Sequence, residues 1–268
     1  MIKKLGVQLY SVRDFIKTEQ DIRSTFKKLK EIGYDEVQTA GSGEITYEKM
    51  GEIARECGIT VQGTHYKFDT MKNDLEQTLI DHRALGTTNC GTGGGMNQMG
   101  TTREGVENYI KEANAVADRL FEHGLKFTYH NHHREFNRLD GEDISIMDML
   151  VEGLNPEKTS FVLDTYWVAT AGADVTYWIE KLKGRIDIIH LKDRGFTTVD
   201  YGNPDERGRY IQLDYKEIGK GNLNWDSIIS TAEKCGVKYY CVEHDDYFID
   251  NDPFKSLKVS ADFLKKYM

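Results

Sequence analysis

Seven glycines recur along the chain in one context: Gly33, Gly58, Gly86, Gly124, Gly153, Gly184 and Gly236. Each follows a stretch with helical spacing and precedes, within a few residues, a short apolar run. Glycine suits the position just past a helix end because it takes left-handed φ without a Cβ clash. The helical stretches carry apolar stripes, Ile22, Phe26, Leu29 and Ile32 in one and Val106, Tyr109, Ile110, Ala113, Val116 and Leu120 in another. Thr101 and Glu104 have capping-box spacing at the start of the second. The runs after the glycines are strand-like: Glu36 to Gln38, Ile59 to Val61, Thr88 to Cys90, Lys126 to Thr128, Phe161 to Leu163, Ile186 to Ile189 and Lys238 to Val242. With an opening strand, Leu5 to Tyr10, they make eight, and a last helix, Pro253 to Tyr267, brings the helices to eight. Such alternation with right-handed crossovers builds a parallel sheet, and eight units close it into an α/β (βα)8 TIM barrel. An open doubly wound sheet is the competing arrangement, but no Gly-x-Gly-x-x-Gly turn follows the first strand. One domain over residues 1–268 is expected, with a long polar loop insertion after strand seven, about 194–221.

In a barrel of this kind chemistry sits at the C-terminal strand ends. Reading those ends gives Gln8 and Tyr10, Gln38, His65, Thr92 with Gly93-Gly94-Gly95, then His130 to Glu135, Asp164, His190 with Lys192 and Asp193, and Glu243 with His244 and Asp245. The stretch from Phe127 to Phe136 is the densest, with His130, His132, His133, Arg134 and Glu135 crowded behind a short apolar strand. Imidazole and carboxylate both donate lone pairs to metals and carry protons near neutral pH. Acids directly after apolar runs are costly to desolvate without a compensating positive charge. A divalent cation would compensate several at once. Glu135, Asp164, His190 and Glu243 come from strands five to eight, an oxygen-rich set suited to Mn²⁺, Mg²⁺ or Co²⁺, with Zn²⁺ also accommodated. Singly, each has an ordinary alternative: Glu135 a solvated loop acid, Asp164 a helix N-cap, His190 a satisfied core histidine, Glu243 a partner for a nearby lysine. At equivalent ends of adjacent strands, the four together read as one site.

Composition narrows the partners. A net charge of −9 offers no broad basic surface, so no nucleic acid is expected as a partner. No apolar run is long enough to span a bilayer, and the N-terminus has no apolar h-region. Cys57, Cys90, Cys235 and Cys241 lack a Cys-x-x-Cys spacing and read as free thiols in a reducing compartment, so a cytoplasmic location is expected.

The motifs Tyr129-His130-Asn131-His132-x-x-Glu135-Phe136, Leu163-Asp164-Thr165-Tyr166-Trp167, His190-Leu191-Lys192-Asp193, Gly219-Lys220-Gly221 and Val242-Glu243-His244 occur in that order. In these the chain resembles the sugar phosphate isomerase/epimerase superfamily, the xylose-isomerase-like barrels, over nearly its whole length. The resemblance implies one divalent metal on Glu135, Asp164, His190 and Glu243, and Glu135 with Glu243 as acid/base pair. It implies substrate contacts from His65 and Lys192. His130 and His132 either orient Glu135 or supply acid, and Trp167 stacks on a sugar or packs the rim. The superfamily's three-zinc endonuclease needs further histidines, where this chain has Trp167, Asp214-Tyr215-Lys216 and Cys90. One metal and a small-molecule sugar substrate are therefore expected.

The reaction expected is proton abstraction next to the carbonyl of a keto-sugar through an enediolate, giving isomerisation or epimerisation. A leaving group β to that carbonyl would instead make the enzyme a dehydratase or lyase, on a keto-polyol, keto-inositol or oxidised glycoside. A non-catalytic sugar-binding barrel is the reading from another class. Gly93-Gly94-Gly95 suits a phosphate cradle or simply a roomy loop. Related barrels often pair, so a homo-oligomer is open, although no interface is legible.

Overall fold

A computed structural model describes residues 1–41, 43, 45–139, 142–200 and 209–268. Its strands are β1 (Leu5–Gln8), β2 (Glu36–Thr39), β3 (Thr60–Thr64), β4 (Asn89–Thr92), β5 (Lys126–His130), β6 (Thr159–Asp164), β7 (Ile186–Leu191), β8 (Asp193–Asp200), β9 (Arg209–Lys216) and β10 (Tyr239–Val242). The helices are α1 (Glu19–Ile32), α2 (Tyr47–Glu56), α3 (Phe68–Asn73), α4 (Leu75–Leu85), α5 (Met96–Met99), α6 (Arg103–Glu122), α7 (Ile146–Gly153), α8 (Thr165–Thr170), α9 (Val175–Lys181), α10 (Trp225–Lys234) and α11 (Pro253–Leu264). Eight strands pair in the order β3-β2-β1-β10-β7-β6-β5-β4, every pairing parallel. This is the expected eight-stranded barrel, closed but for one seam.

The seam lies between β3 and β4, which share no ladder. Asn89 Nδ2 donates to Gln62 O at 2.8 Å, and Tyr66 N donates to Gly91 O at 2.6 Å. The two backbones come so close that a Cβ on Gly91 would lie 2.2 Å from Thr64 O, so only glycine fits.

Alternation along the strands sorts the side chains. One set, including Val37, Phe127, Phe161, Leu163, Ile189 and Leu191, packs with Ile22, Phe26, Leu29, Val106 and Leu120 of the helices in the main core. The other set faces the barrel axis. Val162, Ile188 and Cys241 form a small separate apolar cluster there. Towards the C-terminal ends that inner set turns polar, and Gln8, Gln38, His130, Asp164 and His190 are all buried. A buried polar layer at this level must find partners or a ligand.

Three local expectations are corrected. The insertion after the seventh strand is no loop: β8 and β9 form an antiparallel hairpin, Asp193 opposite Lys216, and its remaining residues 201–208 lie outside the described set. Gly153 does not cap a helix in left-handed φ but ends α7, where a Cβ would meet Ile110 Cγ2 at 2.8 Å, so it serves close packing against α6. The N-cap of α6 is Thr102, whose hydroxyl accepts from Gly105 N, one residue beyond the expected Thr101. The other six marker glycines do adopt positive φ. Among the described residues, no helix is long and apolar enough to cross a membrane.

Candidate metal centre

Register builds the centre. Asp164 and His190 are partners across β6 and β7, and Glu243 follows β10 directly. His130 ends β5 on the inward side. Donor atoms of His130, Asp164, His190 and Glu243 all lie within 4.8 Å of one another, and all four residues are buried. His190 Nδ1 stands 3.0 Å from Glu243 Oε2 and 3.6 Å from Asp164 Oδ2, while His130 Nε2 is 3.5 Å from Asp164 Oδ2.

Glu135 is not in this set. Its carboxylate accepts from Tyr129 Oη at 2.7 Å and from His132 N at 3.0 Å, fully buried beside the strand's outer face. Tyr129 alternates outward from His130 and also receives Gly95 N at 3.0 Å. His130, not Glu135, completes the four-residue cluster. Strand parity was the available signal: His130 shares its face with Thr128, whereas Glu135 follows only after the chain has turned.

The ordinary alternatives turn out to coexist with the cluster. Asp164 caps α8 through Oδ1, receiving Trp167 N at 3.0 Å, which leaves Oδ2 without a hydrogen-bond partner. Glu243 Oε2 receives Lys192 Nζ at 3.2 Å, and Lys192 also donates to Asp245 Oδ2 at 2.6 Å. Both nitrogens of His130 are buried and unpartnered. Unpaired buried acceptors are expensive, and a bound cation is what this donor set would satisfy. The residues fit one divalent ion. With two imidazoles and two carboxylates, the set is richer in nitrogen than expected from the sequence.

Electrostatics set the charges: burial opposes a proton on His190, yet Glu243 and Asp164 outweigh it and raise the imidazole well above its usual value, a proton that a metal would have to displace. Burial alone would raise the Glu243 carboxyl, but Lys192 and His190 outweigh it and hold the group well below its usual value. Burial opposes charge on Lys192, yet Glu243, Asp164 and Asp245 keep it an ammonium. Burial, with Glu243 nearby, lifts Asp245 to about 6, and burial pushes His65 down to about 3. His130 is held neutral by burial in the same way.

An inner cavity of about 240 Å³ opens onto these groups, lined by Tyr10, His65, His132, Trp167, Lys192, Glu243 and Asp245 among others. An outer lobe of about 290 Å³, lined by Gly93, Gly94, Asn97, Gln98, His133 and Arg134, adjoins it across His132 and Trp167. Every substrate contact expected from the sequence, His65, His130, His132, Lys192 and Trp167, thus lines the inner lobe. Asp245, which the sequence places at the end of the last strand without a role, also lines it, and Tyr215 lies beside Lys192. Tyr215, from β9, stacks on Tyr166 at 4.6 Å and 26°, and Lys192 Nζ lies 4.9 to 5.5 Å from the rings of Trp167, Tyr215 and Tyr166. Tyr66, by contrast, is held by Asp81 outside the cavity.

A parallel barrel with a carboxylate–imidazole cluster at its mouth defines a class of metal-ready barrels. A family model described as the xylose isomerase-like TIM barrel matches residues 26–267, and the chain belongs to that family. Among solved structures, a sugar phosphate isomerase/epimerase from Parabacteroides distasonis superposes with a TM-score of 0.80 at 20% identity, covering 99% of this chain and 94% of that one. A probable 3-DHS dehydratase from Bacillus anthracis gives 0.69 at 15% identity, covering 98% of both chains. These likenesses concern fold alone. Inosose dehydratase of Mesomycoplasma hyopneumoniae is 29% identical over 92 residues, 34% of this chain and 29% of that protein's length.

Proposed function

We propose that the chain is a divalent-metal-dependent sugar isomerase or epimerase that abstracts the proton next to a carbonyl of a sugar or keto-sugar. The observation carrying this reading is the convergence of His130, Asp164, His190 and Glu243, with Asp164 Oδ2 and both His130 nitrogens otherwise unpartnered. These four would hold one Mn²⁺, Mg²⁺, Co²⁺ or Zn²⁺ ion. Such an ion, when bound, polarises the carbonyl and steadies the enediolate charge. Glu243 is kept ionised and faces the inner cavity, so it is the residue assigned to take the proton. The Lys192 ammonium, 3.2 Å from Glu243 Oε2, supplies positive charge beside the developing oxyanion. Trp167, Tyr166 and Tyr215 wall Lys192 off from water. The free thiols fit a cytoplasmic enzyme with a small-molecule sugar substrate.

With Glu135 turned away, the glutamate pair expected from the sequence is reduced to Glu243. Epimerisation through paired bases loses support, while transfer along one face, or elimination from the enediolate, does not. The local match to inosose dehydratase makes dehydration the second reading.

The test starts with metal counting by plasma mass spectrometry on protein purified without chelator, beside Glu243→Gln. One ion per chain, lost or weakened in the variant, is expected, and Glu243→Gln should abolish turnover. No metal, and no uptake of added Mn²⁺, Co²⁺ or Zn²⁺, would remove the reading. A substrate screen in deuterated water then separates isomerisation, which conserves mass apart from exchange, from dehydration, which loses a water.

A further inference from the structure

Behind the centre lies a chain of side-chain hydrogen bonds whose polarity is set by one backbone group. We infer that Gln8 and Gln38 are positioning residues that fix the ring hydrogens of two imidazoles, placing one on Nε2 of His65 beside the cavity and one on Nε2 of His190, so that Nδ1 of His190 is the nitrogen turned to the metal cluster. This rests on the proposed function for the use of the site, but the tautomers themselves are independent of it.

The reasoning starts at Tyr10 N, which can only donate. It donates to Gln8 Oε1 at 3.3 Å, so the other end of that amide is NH₂. A flipped Gln8 would set donor against donor. Gln8 and Gln38 are register partners on β1 and β2, and Gln8 Nε2 donates to Gln38 Oε1 at 2.9 Å. The same Gln38 Oε1 lies 2.5 Å from His190 Nε2. Since that oxygen can only accept, His190 Nε2 carries a hydrogen. His190 Nδ1, 3.0 Å from the ionised Glu243 Oε2, also carries a hydrogen in the metal-free protein, and it is the nitrogen whose proton a metal at the cluster would displace. Gln38 Nε2 is left buried and without a partner, a cost borne by holding Oε1 towards both neighbours.

Gln8 Nε2 also points its hydrogens at His65 Nδ1, 3.3 Å away. An N–H there would oppose an N–H, which excludes both the Nδ1–H tautomer and the imidazolium. His65 is therefore neutral with its hydrogen on Nε2, and Nε2 is buried and unpartnered beside the inner cavity. A neutral imidazole N–H beside a substrate cavity can stabilise a developing oxyanion without transferring its proton. That assigns His65 an electrophilic role at the substrate oxygen rather than that of a metal ligand, although one nitrogen from each of His65, His130 and His190 lies within 4.8 Å of the others.

Long-range ¹H–¹⁵N spectra of histidine-labelled protein read tautomers directly, and the chain has eight histidines to assign. Metal-free and Zn²⁺-loaded wild type should both show His65 as the Nε2–H tautomer, and the loaded protein should show His190 as Nε2–H with a metal-shifted Nδ1. Gln8→Met should release His65 into a tautomer mixture and, by freeing Gln38, weaken Zn²⁺ less than Gln38→Met does. Gln38→Met should weaken Zn²⁺ by roughly 10- to 100-fold, and Gln38→Glu, which keeps an acceptor, should restore it. Melting curves verify that each variant is folded. An Nδ1–H tautomer at His65, or a Zn²⁺-shifted His65 Nε2, overturns the inference. If Zn²⁺ does not bind while His65 shows the expected tautomer, the proposed function fails and the Gln8–His65 assignment survives.

Discussion

Glu135 and His130 sit five residues apart and divide one expectation between them, so exchanging each separates the two roles. Glu135→Gln should leave metal binding intact yet cost about 1–3 kcal/mol of stability, because an amide that keeps its oxygen on His132 N turns its NH₂ to Tyr129, whose O–H then loses its acceptor. His130→Ala should lose metal with a smaller change in melting temperature. Metal counts and thermal melts on the two variants decide this, and metal loss from Glu135→Gln would return that residue to the centre. A second prediction concerns His82, away from the cavity. Its Nδ1–H donates to Thr78 O at 2.7 Å, Nε2 meets Thr64 Oγ1 at 2.9 Å, and burial lowers its pKa. The folded form therefore refuses a proton that the unfolded chain accepts below about pH 6.5. Stability contributed by the neutral ring is complete above that pH and is lost as pH falls towards the depressed folded value, by at most about 1.4 kcal/mol per pH unit for one proton. Denaturant midpoints between pH 7.5 and 5.5 should fall in the wild type and fall less steeply in His82→Gln.

At the scale of elements, the hairpin of β8 and β9 depends on Asp193. Its carboxylate receives N–H from Arg194, Gly219, Gly221 and Leu223 and from Trp225 Nε1, at 2.7 to 3.3 Å. Asp193→Asn would replace one acceptor oxygen by a donor among these groups. We expect a loss of at least about 2 kcal/mol and faster amide exchange in 193–200 and 209–216, with weaker substrate binding as Tyr215 loosens from Tyr166. Unchanged exchange in the hairpin would refute the anchoring role. The Asp193 motif and the Gly219-Lys220-Gly221 motif are separately visible in the sequence, but their mutual hydrogen bonds are not. The barrel was legible because its helix ends demand left-handed φ, which glycine advertises at Gly33, Gly58 and Gly86. Asp164, His190 and Glu243 were legible because each directly ends or follows a strand. Glu135 misled because it stands past a turn, where strand parity no longer says which way a side chain points. Gln8 and Gln38 were visible at strand ends, but a neutral amide signals no role until its partners are known.

For the molecule as a whole, the seam between β3 and β4 is a close join. Gly91→Ala should cost at least about 1–3 kcal/mol, since Thr64 O is backbone and cannot swing aside. A melting temperature equal to wild type would show that the seam is slack. The barrel mouth itself is unequal around its circumference. Acidic groups, Asp164, Glu243 and Asp245, crowd the arc of β6 and β10, and His65, His130 and His132 occupy the arc of β3 and β5. A substrate lying between them would meet carboxylates on one side and neutral imidazoles on the other. On the proposed function, with Glu243 as the one base, hydrogen would be removed and restored through a single face. Deuterium drawn from solvent should accordingly enter product with one handedness, so the withdrawal of one glutamate towards Tyr129 becomes readable as chirality at a labelled carbon.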